Sequence, residues 1–279
     1  MSWKNPTSPD RSSAAPAPAA RSVLRPGLGK DKFALERRRP APALADLVDH
    51  YALITWNLGA ATHEQETLPD AAVHLVVDAS DARVSGVRRG RSSYVLSGSA
   101  RAFGVTFRPA GFRPFMATPV AELTDRSVDL SDQFGEAGSS LAATIRAARS
   151  ADEMATAADR FLLDRRPRAD ANVPAMNALV ERARSDPAIR FVRQLAAVAG
   201  TSERQLQRQF RAYVGIGPKW IIRRARLQDA AGTLAGGVDP SLAELALDLG
   251  YVDQAHFTND FTSEVGVPPA AYVRGNPPE

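Results

Sequence analysis

Between residues 51 and 108 apolar and polar positions alternate in short runs: YALITWNL, AVHLVVD, SSYVLSG and RAFGVTFRP. In the last of these Phe103, Val105 and Phe107 fall to one side and Gly104, Thr106 and Arg108 to the other, the period of two of a half-buried strand. The four runs predict an antiparallel sheet, a small β-barrel-like domain. The period then lengthens, predicting helices over 139–149 and 151–165, before Pro167 and the polar stretch RRPRADANVP mark a linker. After Pro174 everything reads as helix: 175–185, 189–199, 202–214, 218–235, 241–249, 253–265 and 268–274. Gly200, Gly215, Gly236, Gly250 and Gly266 punctuate these runs. The implied fold class is α+β, with a basic solvated tail over 1–40, a β-rich effector or dimerisation domain over 41–166, a linker over 167–174 and an all-α domain over 175–274.

The helical region repeats itself. LAAVAGTSERQLQRQFRAYVGIGP (195–218) aligns with LALDLGYVDQAHFTNDFTSEVGVPP (245–269): Leu195 with Leu245 and Gly200 with Gly250 are 50 apart, whereas Phe210 with Phe261, Gly215 with Gly266 and Pro218 with Pro269 are 51 apart. One extra residue therefore sits in the second turn. Each copy is an apolar helix, a glycine turn, an N-cap (Ser202 or Asp253) and a second helix, and Ser202 with Gln205 spells a capping box. In the first copy Leu206, Phe210, Tyr213 and Val214 share one flank of the second helix, and Arg204, Gln207, Arg208 and Arg211 share the other.

Charge sharpens that contrast. The net charge of +4 conceals a split along the helical region. Residues 182–226 carry 11 basic and 2 acidic groups, whereas residues 227–279 carry 1 and 8. A basic run alone is more often a solvated face than a binding site. With 279 residues and 44% hydrophobic content the chain is long enough for two domains. The absence of cysteine removes disulfides, thiol catalysis and thiolate metal sites. No apolar run approaches the roughly 20 residues of a membrane span, and residues 1–39, Arg-rich but broken by Pro16, Pro18 and Pro26, suit neither a secretory signal nor an amphipathic transit helix. A cytoplasmic, nucleoid-associated protein with no membrane partner is the expectation.

Residues 175–274, and most specifically LAELALDLGYVDQAHFTNDFTSEVGVPPAAYVR, resemble the AraC/XylS-type transcriptional regulators. The resemblance implies two helix-turn-helix units joined by a long helix, reading the major groove of double-stranded DNA. LPDAAVHLVV and FGVTFRPAGFRPF within 41–166 are similar to an N-terminal sensory-type domain of some such regulators. The helix over 218–235 would be about 27 Å long at 1.5 Å per residue, suited to holding two recognition helices near the roughly 34 Å spacing of successive grooves. In the first unit Arg204, Gln205, Gln207 and Arg208 are candidates for DNA contact, since Arg suits guanine O6/N7 and Gln suits adenine N6/N7. Arg211, Lys219, Arg223, Arg224 and Arg226 suit phosphates. Carried across to the second unit, the family's positions fall on Gln254, Ala255, His256, Thr258 and Asn259. There the sequence departs from the family, with Asn259 where arginine is common and with Asp260 and Glu264 adding negative charge.

Candidate partners beyond DNA are RNA polymerase, a homodimer mate and a small-molecule effector. Arg108 and Arg113 flank a Pro-Ala-Gly-Phe turn, where a cationic pair could receive an anionic effector, or pair with acidic neighbours such as Asp70 or Asp125. Two other function classes fit parts of the sequence. Sequence-independent nucleic-acid binding needs only the basic tail and helix, and a metal-dependent enzyme would rest on His63, Glu64 and His74. No Ser/His/Asp arrangement or phosphate loop is spelled out, so no catalytic residue, cofactor or metal is assigned.

Overall fold

A computed structural model describes residues 32–67, 70–90, 92–165, 170–235 and 241–275. Most of the basic tail, residues 166–169 at the start of the linker, and the loop that holds Gly236 lie outside them. The described chain forms two compact units, one of the residues up to Asn177 with Arg211–Gly215, the other of Ala178–Phe210 and the residues from Ile216 onward.

The first unit is built on one antiparallel sheet. Its strands are β1 (Phe33–Arg38), β2 (Val48–Thr67), β3 (His74–Asp78), β4 (Ala82–Ser85), β5 (Ser92–Phe107) and β6 (Ser127–Asp129), ordered β1-β2-β5-β3-β4-β6. The alternation predicted for β5 holds, with Phe103, Val105 and Phe107 buried and Arg108 exposed. The inward face gathers aromatic rings. Tyr51 stacks on Phe103 with centroids 5.9 Å apart, and Phe107 meets Phe112 edge-on at 4.9 Å. Helices α1 (Leu130–Phe134), α2 (Glu136–Ala147) and α3 (Ala151–Asp164) extend that core, Phe134 meeting Phe161 of α3 at 5.1 Å. The Tyr51 hydroxyl donates to Asp159 of α3 at 2.6 Å, and burial with the nearby carboxylate raises the phenol's pKa.

Two elements differ from expectation. SSYVLSG and RAFGVTFRP are one strand, because Ser97-Gly98-Ser99 forms an irregularity in the β2–β5 ladder rather than a turn; the register shifts there between Asn57 and Thr62. Residues 33–38, expected in the solvated tail, form edge strand β1 on residues 51–56 of β2. Two of its charges are paired, since Arg38 bonds both Glu36 and Asp152, an edge strand blunted by charge.

The second unit is helical: the greater part of α4 (Asn172–Ser185), α5 (Val192–Val198), α6 (Glu203–Tyr213) up to Phe210, α7 (Pro218–Ala235), α8 (Leu242–Asp248), α9 (Gln254–Val265) and α10 (Pro269–Gly275). The expected long helix over 218–235 is α7. Leu227, Ala230 and Leu234 of α7, Leu245 and Ala246 of α8, Tyr251 from the turn, and Phe257 and Phe261 of α9 form one buried cluster. Leu195, Ala196, Leu206 and Phe210, their counterparts in the first copy, are buried too.

Candidate nucleic-acid interface

The repeat persists at the level of single hydrogen bonds. Gly200 and Gly250 both adopt left-handed backbone, φ 61° and 76°, the conformation that reverses the chain after α5 and α8. The N–H after each glycine returns to the preceding helix, from Thr201 to the Ala196 carbonyl at 3.0 Å and from Tyr251 to the Ala246 carbonyl at 2.9 Å. Each second helix is then capped by a side chain. Ser202 Oγ accepts from the Gln205 N–H at 3.2 Å, and Asp253 Oδ1 accepts from the His256 N–H at 2.7 Å. Two helix-turn-helix units are thereby built by the same local chemistry.

On α6, Arg204, Gln205, Gln207, Arg208 and Arg211 are exposed while Leu206 and Phe210 are wholly buried. The helix thus holds three guanidinium groups and two amides outward from a rigid apolar flank, the donor set suited to base edges and phosphates. Lys219 is also exposed, at the start of α7. On α9 the exposed groups are Gln254, Ala255, His256, Asn259 and Ser263, with Thr258 half-buried and its carbonyl accepting from Thr262 Oγ1 at 2.7 Å. None of them carries a permanent positive charge.

The long helix departs from its expected role. Arg224 has only 8% of its side chain exposed, pairs with Glu264 of α9 and lies under the Trp220 ring, its Cζ 5.6 Å from the centroid. It is a buried tie between α7 and α9, which corrects its expected role as a phosphate contact. Arg223 stands 3.6 Å from Asp260, one turn along α9, and His256 lies 3.9 Å from that same carboxylate. Two of the second copy's four acidic residues therefore anchor Arg223 and Arg224 of α7. Arg226 is half-buried, its pKa lowered by burial, with its guanidinium 5.6 Å from the centre of the Phe191 ring. Arg193 lies over the same ring at 4.2 Å. A side chain at Gly250 would meet Arg226, Phe191 and Arg190 within 3.6–3.9 Å, so these residues sit beside the second turn. Arg190 and Arg193 are exposed cations there. The basic run contained both, but no periodicity singled them out.

Arg108 and Arg113 of the first unit are occupied by the backbone. Arg108 donates from Nε to the Ala45 carbonyl at 2.6 Å, and Arg113 donates to the Met116 carbonyl. Neither is paired with Asp70 or Asp125; Asp125 instead faces Arg89 at 3.4 Å. The Pro-Ala-Gly-Phe turn is a clasp on residues 45–47: the Arg108 N–H bonds Leu47 O, and a Cβ at Gly111 would come within 1.9 Å of that oxygen. Two depressions on this unit are open, one near Trp56 and Arg101 and one beside Phe115 and Phe134. His63, Glu64 and His74 do not assemble: among the described residues no group of three or more His, Cys, Asp and Glu could hold a metal. His74 is half-buried, and the desolvation of its ring lowers its pKa and favours the neutral form.

Residues 195–275 match the family described as a helix-turn-helix domain. The C-terminal region is an AraC-type helix-turn-helix domain. Over 79 residues the chain is 34% identical to the HTH-type transcriptional regulator MtrA of Neisseria gonorrhoeae, covering 28% of this chain and 26% of that protein. An uncharacterized HTH-type transcriptional regulator of Haemophilus influenzae is 33% identical over 81 residues, 29% of this chain and 27% of its own length. The chain thus spans about a quarter of the length of these relatives. The solved C-terminal domain of AraT, a response regulator from Geobacillus stearothermophilus, is 25% identical with a TM-score of 0.31, over 35% of this chain and 84% of that one. Residues 36–129 match a domain of unknown function, DUF6597. Among the described residues no helix is long and apolar enough to cross a membrane.

Proposed function

We propose that the protein is a sequence-specific, DNA-binding transcriptional regulator and not an enzyme, with α6 as its principal reading helix. One observation carries this: α6 presents Arg204, Gln205, Gln207, Arg208 and Arg211 outward from the buried anchors Leu206 and Phe210, within an AraC-type helix-turn-helix. Arg204, Gln207 and Arg208 address base edges, while Arg211 and Lys219 address phosphates. Gln254, His256, Thr258 and Asn259 form the second reading surface. Selection from random duplexes by the full-length protein, followed by footprinting at fixed salt, tests the reading. An enriched sequence protected at least about a thousandfold more tightly than random duplex supports it. Binding to all duplexes alike would instead mark a sequence-independent nucleic-acid protein.

The first unit supplies regulation, through a small molecule or through self-association. Arg108 and Arg113 are set aside as an effector pair because backbone carbonyls already engage them. Sedimentation of the full chain tests self-association, and thermal shift against a metabolite panel tests the effector. A cytoplasmic, nucleoid-associated location and a contact with RNA polymerase belong to the same proposal, and pull-down of polymerase on the selected site addresses the latter.

A further inference from the structure

The extra residue in the second turn has an identity. From Gly200 the chain reaches the cap Ser202 through Thr201 alone; from Gly250 it reaches the cap Asp253 through Tyr251 and Val252. Tyr251 makes the hydrogen bond that Thr201 makes, so the inserted residue is Val252. It is 82% exposed, more than any other large hydrophobic residue of the described chain. A lone exposed apolar residue is ordinary on a protein surface; the position of this one is not. It directly precedes the cap of α9, at the end of a recognition helix that enters the major groove. Val252 lies on non-helical backbone just before α9, and Ala255 and Asn259, one turn apart on that helix, share a flank and are exposed as well. Of the carboxylates on and beside α9, Glu264 is buried against Arg224, Asp260 is largely covered beside Arg223 and His256, and the exposed Asp253 is engaged as the cap by the His256 N–H.

In the major groove the C5-methyl of thymine is the apolar group that a base pair displays, and small apolar side chains read it by contact. Against a phosphate, or against guanine O6 and N7, a valine would only displace water from groups it cannot satisfy. Resting on the regulator reading above, we propose that Val252 and Ala255 read thymine methyl groups, with Asn259 facing adenine, so that the second half of the target is an A·T-rich segment. The first half, read by Arg204 and Arg208, carries guanine. Val252 is thus a specificity-determining residue created by a one-residue insertion.

The test uses the full chain and the duplex it selects from a random library. Each thymine of the selected site is replaced singly by deoxyuridine, which removes the methyl and leaves every hydrogen-bonding group in place. For the unaltered protein one or two replacements in one half of the site should weaken binding about three- to fivefold each, the order set by one buried methyl. For Val252→Ser, whose position is too exposed to matter for folding, thymine and uracil duplexes should bind within about a factor of 1.5 at the base Val252 reads. Indifference of the unaltered protein to every replacement, or full methyl discrimination retained by Val252→Ser, overturns the inference while leaving the regulator reading intact. A library that yields no enriched sequence overturns both.

Discussion

The two helix-turn-helix units share a frame and differ in what the frame presents. Leu195 and Leu245, Gly200 and Gly250, and Phe210 and Phe261 occupy equivalent positions. The exposed flank, by contrast, exchanges Arg204, Gln207, Arg208 and Arg211 for Ala255, Thr258, Asn259 and Thr262. Positions that close the turn and fill the interior tolerate little, because each answers to a left-handed backbone or a packed ring. Flank positions answer to water or to a ligand, and there the copies have separated. Part of the acidic character of the second copy is internal architecture, since Asp260 and Glu264 meet Arg223 and Arg224 of the connecting helix. The first helix-turn-helix unit turns its arginines outward, whereas Asp260 and Glu264 of the second engage Arg223 and Arg224 of α7.

The largest test of that division is structural. Arg224→Ala should leave the Glu264 carboxylate buried and unpaired, and destabilise the helical unit by about 3–5 kcal/mol. Urea unfolding followed through Trp220, which lies beside Arg224, measures it. Replacing both partners by Met and Leu should recover most of the loss, because a packed apolar pair replaces a buried ion pair at little cost. A loss below about 1 kcal/mol in Arg224→Ala would restore Arg224 as a surface group free for phosphate.

The reading flanks come next. Arg208→Ala should cost about 1–3 kcal/mol of binding and relax preference at one base pair, whereas Asn259→Ala should cost less, on the order of 1 kcal/mol. Quantitative gel shifts on single-base variants of the selected site separate the two. Equal losses would mean that the flanks, however different in charge, contribute alike.

The shared frame should respond symmetrically. Gly200→Ala and Gly250→Ala each force a side chain into left-handed backbone, at about 1–2 kcal/mol apiece. Open space surrounds the first position, and the second meets neighbours only at ordinary contact distance, so neither adds a clash. Thermal unfolding of both variants should therefore shift by the same amount. A much larger shift for Gly250→Ala would show that Arg190, Phe191 and Arg226 hold the second turn more tightly than backbone geometry requires.

How much of this was legible in the sequence depended on the kind of signal. The repeat, α7 and the buried and exposed positions of α6 follow from period and punctuation, which are local. Strand β1 did not follow, because Glu36, Arg37 and Arg38 resemble a solvated tail until Asp152, more than a hundred residues away, supplies the partner. SSYVLSG and RAFGVTFRP read as separate runs because the glycine of a bulge, here Gly98, also suits the end of a strand. Arg224 was read as a surface cation for the same reason as β1: its partner Glu264 lies 40 residues on, and sequence spacing says nothing about that meeting. The Arg108–Arg113 pair misled because backbone carbonyls, which occur at every residue, leave no mark in a sequence.

The smallest expected effect is the finest probe of the connecting helix. Arg223 and Lys219 lie one turn apart on α7, and by sequence alone both suit phosphates. In the structure Arg223 stands 3.6 Å from Asp260, and 41% of its side chain is exposed, whereas Lys219 is exposed at the helix start. A cation that contacts phosphate releases a counterion, and its removal lowers the slope of log affinity against log salt by about 0.9. Lys219→Ala should show that change. Arg223→Ala should leave the slope unaltered and cost no more than about 1 kcal/mol of folding stability, the value of a partly exposed pair. If Arg223→Ala also flattens the slope by a full contact, the Asp260 pair opens on DNA, and the second unit's carboxylates release α7's arginines as binding proceeds.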